Sequence, residues 1–179
     1  MRDVLVAVDV INTFAHDDGG ALLASFRSRL SDIEDALAEA RRRDTPVVFV
    51  NDTLGRWDGD APGLVRWAVE TGKGPDVVSA LAPVPQDRFL FKARYSAFDH
   101  TALDLLLAEV ECERVLLCGA ATEGCVVQTG IHAREHGFKV TILARACATT
   151  DDALERVALA YAEQVGGIRI ARAAVGSIS

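Results

Sequence analysis

Five consecutive positions, Val4-Leu5-Val6-Ala7-Val8, are apolar with no polar residue among them. A strand with one wet face alternates apolar and polar side chains, so a strand apolar at every position is buried on both faces. Segments 46–50, 114–118 and 139–143 share this character, and 88–91 and 168–171 are shorter candidates. They lie too far apart for hairpins, and helical patterns fill the intervals. Segment 25–43 carries Phe26, Leu30, Ile33 and Leu37 at helical spacing and ends on Arg41, Arg42 and Arg43, whose charges suit a helix C-terminus. Segment 101–110 repeats the pattern with Leu103, Leu106 and Leu107, and 151–165 with Leu154, Val157, Ala158 and Tyr161, where Thr150 or Asp151 can cap the start. Strand and helix in alternation predict a three-layer, Rossmann-like α/β fold: a parallel sheet with helices on both faces and right-handed crossovers. The stretch 51–85 is different. It holds four of the five prolines and both tryptophans, and it reads as a long irregular connection with one or two short helices.

The chain has 179 residues, half of them hydrophobic, enough for one domain spanning 1–179 with a sizeable core. A formal net charge of -7 argues against a nucleic-acid partner, since no surplus of cations exists to displace phosphate counterions. No run approaches the roughly 18 apolar residues of a membrane-spanning helix. The first apolar run ends at Asp9, too short and too acidic for a signal peptide. Four cysteines with no CxxC pair do not make a disulfide framework. The expectation is a cytoplasmic protein with reduced thiols.

In doubly wound sheets, ligands bind beyond the carboxyl ends of the strands. Asp9 follows the first strand, Lys92 ends the strand Phe89-Leu90-Phe91, and Cys125 follows the fourth strand at the start of the next helix. A carboxylate, an ammonium and a thiol can thus meet at one sheet edge. An ammonium and a helix N-terminus both lower a thiol pKa, and a carboxylate can carry the thiol proton to a leaving group. Lysine is scarce here, with only Lys73, Lys92 and Lys139 in a chain that otherwise uses arginine, which singles out Lys92.

These segments resemble the isochorismatase-like cysteine hydrolases. Val8-Asp9-Val10-Ile11-Asn12-Thr13-Phe14 is similar to that family's hydrophobic-Asp-x-Gln-Asn-Asp-Phe opening. Residues 92–98 match Lys-x-x-x-Ser-Ala-Phe, and Gly119 to Val126 match Gly-x-x-Thr-x-x-Cys-Val, with Thr129 following. The three motifs stand in the family's order, and the similarity runs from Val4 to Ala171. The resemblance implies a six-stranded sheet and an Asp-Lys-Cys triad at Asp9, Lys92 and Cys125. It also implies a cis peptide between Ala120 and Ala121, and an oxyanion hole made by the backbone N–H groups of Ala121 and Cys125. The activity implied is hydrolysis of a small carbonyl compound, an amide or carbamoyl C–N bond first of all, with no cofactor and in a homodimer or higher homo-oligomer. Isochorismatase-type enol-ether hydrolysis, or a binding or scaffolding protein on the same fold, are the alternatives. Ile11 and Thr13 replace the Gln and second Asp of the opening motif and keep the last of these open. The metal site of the nicotinamidase branch needs an Asp-x-His after the second strand, where this chain has Asn51-Asp52-Thr53-Leu54.

Other residues carry weaker signals. Phe14, Trp57 and Tyr95 fall in loops beyond strand ends, where they would wall a pocket or pack as core. Arg56 and Arg94 are candidates to grip an anionic substrate group, or to form surface ion pairs. His132 and His136 stand four apart on a predicted helix, a spacing that can hold a metal, but no third ligand is evident. Cys112, Cys118 and Cys147 read as packing.

Overall fold

The computed structural model describes residues 1–57 and 59–173. In chain order the elements are β1 (Asp3–Val8), α1 (Gly19–Arg42), β2 (Val47–Asp52), α2 (Ala61–Thr71), α3 (Pro75–Ala80), β3 (Arg88–Lys92), α4 (Leu103–Glu109), β4 (Arg114–Gly119), a π-helical turn (Thr122–Val126), α5 (Val127–Glu135), β5 (Lys139–Cys147), α6 (Asp152–Gln164) and β6 (Arg169–Ala171). The six strands are all parallel, in the order β3-β2-β1-β4-β5-β6.

The unbroken apolar run of β1 has a simple cause. Its side chains alternate between faces, and each face is covered. Leu5 and Ala7 join Phe26, Ile33 and Leu37 of α1 in one core. Val4, Val6 and Val8 join Leu103 and Leu107 of α4, Ala133 of α5 and Leu159 and Ala162 of α6 in the other. β1 and β4 are the central pair, and sheet growth reverses direction between them, from β1 outward to β3 and then from β4 outward to β6. The cleft of a doubly wound sheet opens at this switch point. Both β1 and β4 deliver their following residues, Asp9 and the 120–125 segment, into it.

The elements differ from expectation at several ends. α1 begins at Gly19 rather than near residue 25, because Leu22 and Leu23 extend its buried face. β2 and β3 run one or two residues further, to Asp52 and Lys92, which pair with each other in the ladder. β5 continues to Cys147 past an irregularity in its pairing with β4. The 51–85 connection contains α2, capped by the Asp60 side chain on the Gly63 amide at 2.6 Å, and the short α3.

The larger correction concerns α6. The apolar spacing of Leu154, Val157 and Tyr161 suggests a core-facing stripe, yet all three are more than half exposed. The buried face is Glu155, Leu159 and Ala162. A carboxylate faces inward because a cation from α1 waits for it, as described below.

Candidate active site

β1 ends at Val8, and Asp9 takes a left-handed backbone conformation, φ 48°, that is uncommon for a residue with a side chain. Its amide still donates to Val50 O at 3.1 Å, so the chain leaves the ladder in the act of turning. One carboxylate oxygen, Oδ1, accepts the Asp52 amide at 2.7 Å. The other, Oδ2, lies 2.6 Å from Lys92 Nζ.

Lys92 is almost fully buried at 3 % exposure, and an ammonium is tolerated there only because its three N–H donors each have a partner. They reach Asp9 Oδ2, Arg94 O at 2.9 Å and Cys125 Sγ at 3.4 Å. Lys92 is thereby fixed between carboxylate and sulfur. Burial pulls its pKa down, but the neighbouring Asp9 carboxylate and the contact with Cys125 outweigh it and raise the pKa, so it stays a cation.

Cys125 sits in the π-helical turn that links β4 to α5. Gly119 makes this turn possible. Its φ is +113°, and a Cβ at that position would stand 2.0 Å from Val8 O. The Ala120–Ala121 peptide bond that follows is cis. Among the described residues the Ala121 amide donates to no protein acceptor. One further motif residue ties the Lys92 segment to the Cys125 segment: the Ala97 amide donates to Thr129 Oγ1 of α5 at 3.0 Å. Within the Lys92 segment itself, Ser96 Oγ accepts the Phe98 amide at 3.2 Å and fixes the local turn.

The electrostatics depart from the acidified thiol expected. Burial first, and the Asp9 charge second, push the Cys125 thiol up to about 12, outweighing the opposing pull of Lys92. Burial also raises Asp9 above the usual carboxylate range, against the effect of Lys92. The resting sulfur therefore keeps its proton, and it becomes a nucleophile only by passing that proton to a neighbouring base.

Asp9, Asp52, Lys92, Ala93, Arg94, Tyr95 and Cys125 line a pocket of about 360 Å³. A second pocket, of about 370 Å³, shares Lys92, Ala93 and Arg94 with it and adds Trp57, Phe91, Asp99 and His100. Asp9, Lys92, Cys125, Arg94 and Tyr95 thus come together, with Trp57 in the adjoining pocket. Two candidates do not. Phe14 is wholly buried and packs edge-on against Phe26, ring centroids 5.5 Å apart, because the chain turns inward after Asn12. The guanidinium of Arg56 lies over the ring of Trp67, 5.1 Å from its centroid, and lines neither pocket. Asp52 went unremarked as a site residue in the sequence, where nothing distinguishes it from a strand-end carboxylate. Its signal is structural: its amide holds Asp9, and its side chain borders the pocket.

The metal of the nicotinamidase branch has no fit here. Asn51 commits its side chain to Ile11 N and O, and among the described residues no three His, Cys, Asp or Glu side chains are placed to hold an ion. His132 Nδ1 instead lies 3.5 Å from Asp99, and His136 stacks on Phe98.

A parallel α/β sheet with a carboxylate, an ammonium and a thiol gathered at its switch point defines a class of hydrolase scaffold. Residues 3–174 match the isochorismatase domain, and the chain belongs to that family of hydrolases. It is 30% identical over 161 residues to the uncharacterized isochorismatase family protein YaaI of Bacillus subtilis, covering 90% of this chain and 88% of that one. It is 28% identical over 166 residues to the ureidoacrylate amidohydrolase RutB of Azorhizobium caulinodans, covering 75% and 72%. The crystal structure of N-carbamoylsarcosine amidase from Thermoplasma acidophilum shares the fold, with a TM-score of 0.71, 24% identity and 96% of each chain covered. Among the described residues no helix is long and apolar enough to cross a membrane.

Proposed function

We propose that the protein is a cysteine amidohydrolase acting on a C–N bond of a small amide or carbamoyl compound. The contact of Lys92 Nζ with both Asp9 and Cys125 carries this reading. Asp9 accepts the Cys125 S–H proton as sulfur attacks the carbonyl carbon, and Lys92 holds the negative charge that develops between them. The tetrahedral oxyanion is received by the Ala121 and Cys125 amides; one such donor is typically worth about 2.7–4 kcal/mol of barrier. The unpartnered Ala121 amide supports that role. On collapse the C–N bond breaks and Asp9 gives its proton to the leaving amine. Water then loses a proton to Asp9 and attacks the thioester, and the C–S bond breaks as the thiol is re-formed. No cofactor enters. Arg94, Tyr95 and Trp57 border the space left for substrate, and the ureidoacrylate specificity of RutB makes ureido and amide acids the first compounds to try.

Association into a homodimer or higher homo-oligomer belongs to the same reading. The exposed Leu154, Val157 and Tyr161 of α6, continued by Val165 just past its end, support it. The test of function is a hydrolysis screen of small amides, ureido acids and lactams with the wild type and Cys125→Ser. Turnover confined to the wild type is expected, and turnover equal in both would overturn the covalent route.

A further inference from the structure

We propose that Thr122, Glu155 and Arg29 form a clamp that positions the nucleophile turn, an inference that rests on the reading of Cys125 as nucleophile. Thr122 is fully buried, one residue after Ala121 and three before Cys125. Its amide donates to Ala148 O at 2.9 Å. Its hydroxyl stands 3.0 Å from the same oxygen and 2.8 Å from Glu155 Oε1. Both neighbours only accept, so the single hydroxyl proton is held between them.

Glu155 is in turn gripped by a fork. Arg29 Nη1 and Nη2 donate to its two oxygens at 2.5 and 2.7 Å. Arg29 Nη1 also donates to Cys147 O, so the end of β5 is held by Arg29 at Cys147 and by Thr122 at Ala148. The Glu155 partner raises the Arg29 pKa and keeps the guanidinium charged. Glu123 adds a second tether, accepting the Thr150 amide at 2.9 Å and Thr149 Oγ1 at 2.7 Å. Segments 29, 122–123 and 147–155, far apart in the chain, are thus fixed to one another behind the sulfur.

Arg29 and Glu155 are largely withdrawn from solvent, their side chains 21% and 11% exposed; an ion pair so placed is a poor source of stability compared with apolar packing, and its best-attested use is to fix one geometry against others. α6 buries Glu155 while leaving Leu154 and Val157 exposed, the opposite of what packing alone would select. The geometry fixed here is that of the turn carrying Cys125 and the Ala121 amide. A misplacement on the order of 1 Å at such a site can cost about 10²-fold in rate.

The test uses Thr122→Val, which keeps the shape and deletes the hydroxyl, and Thr122→Ser, which restores the hydroxyl. Two readouts are taken on folded protein: amide hydrogen exchange across residues 121–126, and the rate of Cys125 alkylation by iodoacetamide, with Cys112 as internal reference. In Thr122→Val, exchange is expected to accelerate and Cys125 alkylation to slow, each by about tenfold or more; Thr122→Ser should return both to within about twofold of wild type. Unchanged exchange overturns the clamp. Faster exchange with an unchanged alkylation rate overturns the positioning role and leaves a structural contact. Should Thr122→Val not fold, Glu155→Gln takes its place with the same two outcomes. Turnover undiminished in Cys125→Ser refutes the nucleophile reading, and with it the positioning role, whereas the exchange result bears on the clamp alone.

Discussion

Asp9 is the residue on which the chemistry turns, since the sulfur beside it does not ionise unaided. With the thiol pushed up to about 12, a base must take its proton, and Asp9 acts as one only while ionised. Burial raises the Asp9 pKa, so the acid limb of activity is expected above the ordinary carboxylate range near 4. Activity is full at pH values above that raised pKa and is lost as pH falls through it. Asp9→Asn should lower kcat/KM by about 10²–10⁴-fold and abolish this limb; an unchanged pH profile in the variant would assign the limb to another group. The identity of these residues was legible in the sequence because their motifs stand in order at strand ends. The protonation of the sulfur was not. Desolvation depends on what packs around a side chain, and no motif records that. Phe14 and Arg56 show the same limit: both follow strand ends, but one turns into the core and the other onto Trp67.

At the scale of elements, β1 and β4 were readable because burial on both faces removes polar residues altogether. α6 was readable in place but not in orientation. Of the two caps the sequence offers, Thr150 and Asp151, it uses Asp151, whose side chain accepts the Ala153 and Leu154 amides at 2.7 and 2.9 Å. Asp151→Ala should therefore cost about 1 kcal/mol of unfolding free energy, read as a lower denaturant midpoint at unchanged m-value. An unaffected midpoint would mean that the cap contributes nothing. The buried face of α6 was misread because Glu155 looks like a solvent residue until its partner, more than a hundred positions away, is known. Long-range pairing of this kind leaves no periodic trace. The 51–85 connection was opaque for a related reason: α2 and α3, which form the crossover between the parallel β2 and β3, are short and proline-led and pack on one another.

For the molecule as a whole, several carboxylates nearer the surface titrate on the other side of Asp9. Arg42 holds Glu39, Arg27 holds Asp76, the Arg2 amide holds Glu113 and Arg172 holds Glu163, each below its ordinary value. Groups with depressed pKa stabilise the fold above their unfolded values, and that stabilisation is lost as pH falls through the folded ones. Acid unfolding should thus begin below the pH at which activity fails, and added salt should weaken the contribution of these pairs. Thermal melts and activity followed over the same acid range test the separation; coincident losses would show that inactivation is unfolding. Covalent catalysis by Cys125 itself is tested most directly by the mass of the intact protein, quenched in acid during turnover of an amide that it hydrolyses. The expected spectrum shows the protein plus one acyl group, mapped to Cys125 and absent from Cys125→Ser. Steady turnover with label on another residue, or undiminished turnover by Cys125→Ser, would contradict the thioester.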